Sequence, residues 1–176
     1  GLIVQLAAQG SVAANSRDFE RQADNIGHML MSQHGYDPAE AAKLWENLIA
    51  EEKAATDKKH RVLFFASHPP REEREETLGA RAALIAEDGE TRGSYRDRYW
   101  AIVGKHRRGF LRDELATKRY GRFAVLLDRL EKSTDNPAEI HFFRGEMYRL
   151  RNGKDDGDKA MAAYGKAVEV GGDYPA

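Results

Sequence analysis

The chain has 176 residues, enough for one domain or two small ones with a genuine core. Charged residues make up 32% against 41% hydrophobic, and 28 Lys+Arg against 29 Asp+Glu leave a formal net charge of -1, so no global charge draws it to nucleic acid or a membrane surface. Without cysteine it has no disulfide or thiolate chemistry, and no apolar run reaches the roughly 18 residues of a membrane span.

The opening GLIVQLAAQG lacks the charged leader of an export signal and reads as the tail of a helix that begins further upstream. Phe19, Ala23, Ile26 and Leu30 then recur at helical spacing, which predicts one inward face of a helix from about Ser16 to His34. Asn15 or Ser16 would cap its start, and Gly35 suits the left-handed position after its end. Asp37-Pro38-Ala39-Glu40 combines an N-cap, a proline at the first helical position and a capping box. The helix it opens would bury Ala41, Ala42, Trp45, Leu48 and Ile49.

Glu51 to Arg61 is polar and reads as a loop. The short run Val62 to Ala66 follows, ended by Ser67-His68-Pro69-Pro70. Pro70 can open another helix, with Leu78, Ala82 and Ile85 facing inward. Residues 87–93 (EDGETRG), polar and carrying two glycines, are the best domain boundary, which divides the chain into 1–88 and 94–176. Helices are expected at Tyr95–Val103, Phe110–Tyr120, Arg122–Lys132, Ala138–Arg151 and Asp158–Val170. No segment shows strand alternation over a convincing length, so the fold class is all-α.

The last two helices resemble a tetratricopeptide repeat. Gly145 and Tyr148 fit the small and aromatic positions of its first helix, and Ala160, Tyr164 and Ala167 those of its second. The turn between them is longer than the usual repeat allows. An ordinary antiparallel helical hairpin accounts for the same pattern, and either needs the helices at 110–132 to pack against it.

Among residues that can carry chemistry, Glu20 and Asp24 lie one turn apart on the same side of their helix. Like charges at that spacing repel unless something positive compensates. Arg17 and Arg21 each stand three residues before one of these carboxylates, so a salt-bridged surface helix explains them as well as a metal site does. The histidines number 6, at 28, 34, 60, 68, 106 and 141, and no two of them are four apart. His28 and His34 are expected to be partly exposed, and His141 to pack or hydrogen-bond beside Phe142 and Phe143. Trp45 and the Phe64-Phe65 pair read as core. Lys105 to Arg122 carries seven basic and two acidic residues around Phe110 and Tyr120, a solvated helix in preference to a phosphate-binding or partner surface.

The string S-R-x-x-E-x-x-A-D from Ser16 to Asp24, then Gly27, then Gly35-Tyr36-Asp37-Pro38, resembles the zinc metallopeptidase family of the CAAX prenyl proteases and HtpX. Ser67-His68-Pro69-Pro70 and Arg74 resemble that family's H-P-x(4)-R loop, so the likeness covers about residues 14–80. Gly145 to Arg151 (GEMYRLR) extends it toward the bacterial branch with C-terminal tetratricopeptide repeats, that of the β-barrel assembly-enhancing protease.

The resemblance implies a gluzincin with zinc as cofactor. Glu20 would be its third zinc ligand, Asp24 the acceptor that orients a zinc-bound histidine, and His68 and Arg74 groups near the open metal position or the substrate. The family's first two ligands and its general base lie in an HExxH helix, and these 176 residues contain no HExxH. The expectation is therefore the C-terminal part of a periplasmic or secreted metalloendopeptidase, inactive alone and not retaining zinc. Protein or peptide substrates are implied, with the C-terminal helices as a partner surface, no nucleic acid, no membrane span, and association with a second copy. The competing reading is a non-catalytic helical interaction module with a vestigial metal motif.

Overall fold

The structure is a computed structural model that describes residues 2–55 and 70–171, with side chains from residue 16 onward. It is all-α, as the sequence predicts. Among the described residues the only extended pairing is an isolated bridge between Tyr36 and Gly93, and no helix is long and apolar enough to cross a membrane. The chain divides into two compact units, residues 1–49 with 57–96, and residues 50–56 with 97–176. The segment that holds Phe64, Phe65 and His68 lies outside the described residues.

The first unit is built on α1 (Leu2–Gln33), α2 (Ala39–Ala54, which passes into the second unit after Ile49) and α3 (Arg71–Ala86). α1 does not start at Asn15 or Ser16. It runs without interruption from Leu2, because two leucines and four alanines before Asn15 favour helix and a lone Gly10 costs only about 1 kcal/mol. Its end is where Gly35 predicts it. Gly35 takes φ 79°, and the Tyr36 N–H returns to the Met31 carbonyl at 2.9 Å. Asp37 then caps α2 by accepting from the Ala39 N–H at 2.9 Å. α3 follows directly on Pro70, with Leu78 and Ala82 buried.

One expectation is reversed in this unit. Phe19, Ala23, Ile26 and Leu30 do not face a core: Phe19 is 69% exposed, Ile26 55% and Leu30 45%. α1 instead turns its polar side inward, where Glu20 and Asp24 meet α3 and His28 is buried. Residues 87–95 fold back onto the same unit. Arg92 grips Asp88 through two hydrogen bonds of 2.9 and 2.6 Å, and the Tyr95 ring meets Tyr36 edge-on with centroids 4.8 Å apart.

The second unit contains α4 (Arg96–Val103), a 3-10 turn (Gly104–His106), α5 (Arg107–Ala116), α6 (Tyr120–Glu131), α7 (Pro137–Arg151) and α8 (Asp156–Gly171). α5 stops before Tyr120 because Lys118 adopts φ 59°, and Tyr120 opens the next helix. Asn136 caps α7 by accepting from the Glu139 N–H at 3.2 Å, with Pro137 at the first position.

The core joins Leu111 and Leu115 of α5, Phe123 and Leu127 of α6, and Ile140, Phe143 and Met147 of α7. Each such side chain contributes about 1.5–3 kcal/mol by leaving water. α7 and α8 form a closely packed hairpin, with Ala160, Ala163 and Ala167 buried along α8. A Cβ on Gly145 would stand 2.4 Å from the Tyr164 ring, so this crossing requires glycine.

Glu51 is not in a loop. The last turns of α2 continue through it to Ala54, and its carboxylate is buried against Arg129 at 2.8 Å and Arg122 at 3.4 Å. The chain stays helical here because Glu51, Glu52, Lys53 and Ala54 are themselves good helix formers, and the two arginines neutralise the buried charge. Arg122 also lies 3.1 Å from Glu114, and Arg107 donates to the buried Glu139 at 2.6 Å. The basic stretch Lys105–Arg122 is thus partly internal rather than a wholly solvated surface.

Candidate functional site

Three of the four residues that the sequence nominates come together in the first unit. Glu20 and Asp24 project from neighbouring turns of α1, and Arg74 reaches them from the first turn of α3. Arg74 Nε donates to Asp24 Oδ2 at 2.7 Å, and its Nη2 donates to Asp24 Oδ1. Its Nη1 lies 3.0 Å from Glu20 Oε2. The fork-on-fork contact with Asp24 is the strong geometry for a guanidinium and a carboxylate, while Arg74 meets Glu20 through one nitrogen. The fourth nominated residue, His68, lies outside the described residues.

Burial sharpens the cluster. The Arg74 side chain is 13% exposed, Asp24 18% and Glu20 30%. Trp45 of α2, read from sequence as core, is half-buried and lies beneath the guanidinium, 4.0 Å from ring centroid to Cζ. Its π-face adds about 1 kcal/mol or more to a partly desolvated cation. Nothing local in the sequence marks Trp45 for this contact, because its spacing fits an inward-facing α2 equally well.

One of the expected surface pairs is replaced. Arg21 does not serve Asp24. It bonds Asp18 and Glu73, each at 2.7 Å, and these contacts raise its guanidinium further and hold the Glu73 carboxyl below its usual range. A cation shared by Glu20 and Asp24 comes from α3, fifty residues along the chain from Asp24.

The described histidines of the first unit, His28 and His34, do not join the cluster. His28, expected to be partly exposed, is 3% exposed and hydrogen-bonds to the Pro38 carbonyl at 3.0 Å, which ties α1 to the start of α2. His34 is exposed. A shallow apolar cavity of about 300 Å³ opens beside His28, lined by Met29, Arg81, Leu84 and Ile85 among others, and Glu20, Asp24 and Arg74 are not part of it. In the second unit His141 is buried, 3.6 Å from Glu131.

A catalytic zinc takes three protein ligands and keeps a position for water. The cluster supplies carboxylate oxygens alone, and a guanidinium already occupies the space between them. Among the described residues no group of three or more histidine or carboxylate side chains is placed to hold one metal ion. The residues present therefore do not fit a complete zinc site, and no hydrolytic step follows from them.

Residues 1–82 match the sequence model of peptidase family M48, whose members are generally zinc-dependent. The match ends within α3 and takes in Glu20, Asp24 and Arg74, and it supports a zinc-metallopeptidase lineage for this part of the chain. No curated protein and no solved structure matches the chain.

Proposed function

We propose that this chain carries the glutamate arm of a zinc metalloendopeptidase, joined to a helical domain that binds substrate or partner proteins. The family match over residues 1–82 is the observation that carries the reading. The convergence of Arg74 with Glu20 and Asp24 supports it, because Arg74 lies fifty residues from Asp24 in the sequence.

In this reading Glu20 is the third zinc ligand, and Asp24 fixes the tautomer of a histidine supplied by an HExxH helix outside these 176 residues. His68 and Arg74 belong to the loop and helix that close the site. The hairpin of α7 and α8 is a tetratricopeptide-like element: Gly145 against Tyr164, and the alanines of α8, give it the close approach such repeats need. The enzyme would be periplasmic or secreted and act in protein quality control of the cell envelope.

The test is made on the longer protein. An HExxH should be encoded roughly 40–70 residues before Glu20, and the purified protein should hold one zinc. Glu20→Ala should release the metal, and Asp24→Asn should weaken its binding by about 10–100-fold. Zinc retained undiminished in Glu20→Ala sinks the proposal. The rival reading, a non-catalytic helical module, draws its support from the closed Arg74 cluster; it predicts no HExxH in the gene and no zinc in the longer protein.

A further inference from the structure

The second unit carries an apolar ridge flanked by cations on the side away from its core. α4, the 3-10 turn and α5 form a nearly continuous right-handed run, since Val103, His106 and Arg107 all keep helical backbone angles. Leu111 and Leu115 bury one side of this run, and α4 buries none of its residues. Tyr99, Ile102, His106 and Phe110 recur at spacings of three and four, which puts them on the side away from those leucines. Tyr99, Ile102 and Phe110 are each more than half exposed, and the His106 and Phe110 rings lie 6.3 Å apart.

Arg98, Lys105 and Arg112, seven residues apart from one to the next, make an exposed row beside this ridge. Arg107 is engaged internally by Glu139, but these three cations make no ion pair among the described residues. We propose that this face is a docking surface for an anionic lipid bilayer, on which the second unit lies without crossing it. An interfacial helix needs bulky apolar side chains on one side and lysines or arginines that reach the headgroups beside them. Nucleic acid would use the cations, but it stacks its bases on flat π-faces, and Ile102 offers none. The net charge of -1 gives no overall attraction, so the contact is local and acts within about 10 Å at 0.1 M salt. Nothing in it depends on the metallopeptidase reading.

The test is co-sedimentation of the whole chain with phosphatidylcholine vesicles, with and without phosphatidylglycerol. The chain should pellet with the anionic vesicles alone, and raising the salt from about 0.1 to 1 M, which shortens screening to about 3 Å, should release it. Replacing Arg98, Lys105 or Arg112 by Gln should weaken binding about fivefold each. Ile102→Ser combined with Phe110→Ser should weaken it at least about tenfold, with the thermal unfolding midpoint held near the parent's because both side chains are exposed. Should that variant lose its fold, the glutamine variants and the salt series carry the test.

Absence of binding to anionic vesicles at low salt overturns the proposal. So does a folded Ile102→Ser, Phe110→Ser variant that binds like the parent, which would reduce the contact to charge alone. Phe19→Ser is the control, since Phe19 is exposed on α1 in the other unit. A loss there equal to that of the double variant places the contact on α1 and overturns the assignment to α4 and α5. A single-stranded oligonucleotide that displaces the chain from vesicles, and whose own binding ignores Ile102 and Phe110, assigns the row of cations to nucleic acid and overturns it as well. The zinc content of the longer protein bears on none of these outcomes.

Discussion

Asp156 shows what a single side chain does at the turn between α7 and α8. It is 1% exposed, takes two hydrogen bonds from the Arg151 guanidinium at 2.8 and 2.6 Å, and accepts a third from the Gly153 N–H at 2.8 Å. The Arg151 contact first, and the backbone donor after it, hold its carboxyl down at about 2. In the unfolded chain an aspartate titrates near about 3.9. A depressed native value means that the stabilisation is complete above the unfolded value and is lost as pH falls toward the native one. The second unit should therefore weaken between about pH 4 and pH 2, and Asp156→Asn should flatten that slope while lowering stability at neutral pH. Denaturant unfolding followed at Trp100 across this range checks it. An acid slope that Asp156→Asn leaves unchanged would assign the effect to other carboxylates.

At the scale of elements, the α7–α8 hairpin sets two glycines against each other. A methyl on Gly145 meets the Tyr164 ring at 2.4 Å, while one on Gly165 meets nothing within 4 Å. Gly145→Ala should cost about 1–3 kcal/mol through overpacking, and Gly165→Ala should gain roughly 1 kcal/mol of helix propensity. Chemical denaturation of both variants reads the two signs directly.

Where helices end was legible in the sequence because the signals are local: Gly35 at its left-handed position, Asp37 before Ala39, and Asn136-Pro137 before α7. The face that α1 buries was not, because a contact fifty residues away decides it. Periodicity marked Phe19, Ala23, Ile26 and Leu30 as the inward stripe, yet Arg74 turns the carboxylate side inward. The test follows from exposure: Phe19→Ser should change stability by no more than about 0.5 kcal/mol, against the roughly 3–5 kcal/mol for truncating a buried Phe to Ala. A loss near the larger figure would mean that the stripe is covered in solution. The candidate site was legible as residue types in order, and Trp45 was invisible because an aromatic under a guanidinium shares its helical spacing with core.

For the whole molecule, the two tryptophans fall one in each unit, Trp45 in the first and Trp100 in the second. The interactions that matter most are also internal to a unit. Arg74 engages Glu20, Asp24 and Trp45 in the first, and Gly145 packs on Tyr164 in the second. Substitutions that share no partner contribute independently to stability, within about 0.5 kcal/mol. Arg74→Gln should therefore shift the unfolding transition seen at Trp45, and Gly145→Ala the one seen at Trp100, with the double variant showing the sum. Single-tryptophan versions of each, made with Trp→Phe, separate the two signals. If instead both probes report one coincident transition, and the losses combine with a coupling above about 1 kcal/mol, the chain unfolds as one cooperative body. The peptidase-like unit would then depend on the helical one for its stability, and the two could not be studied apart.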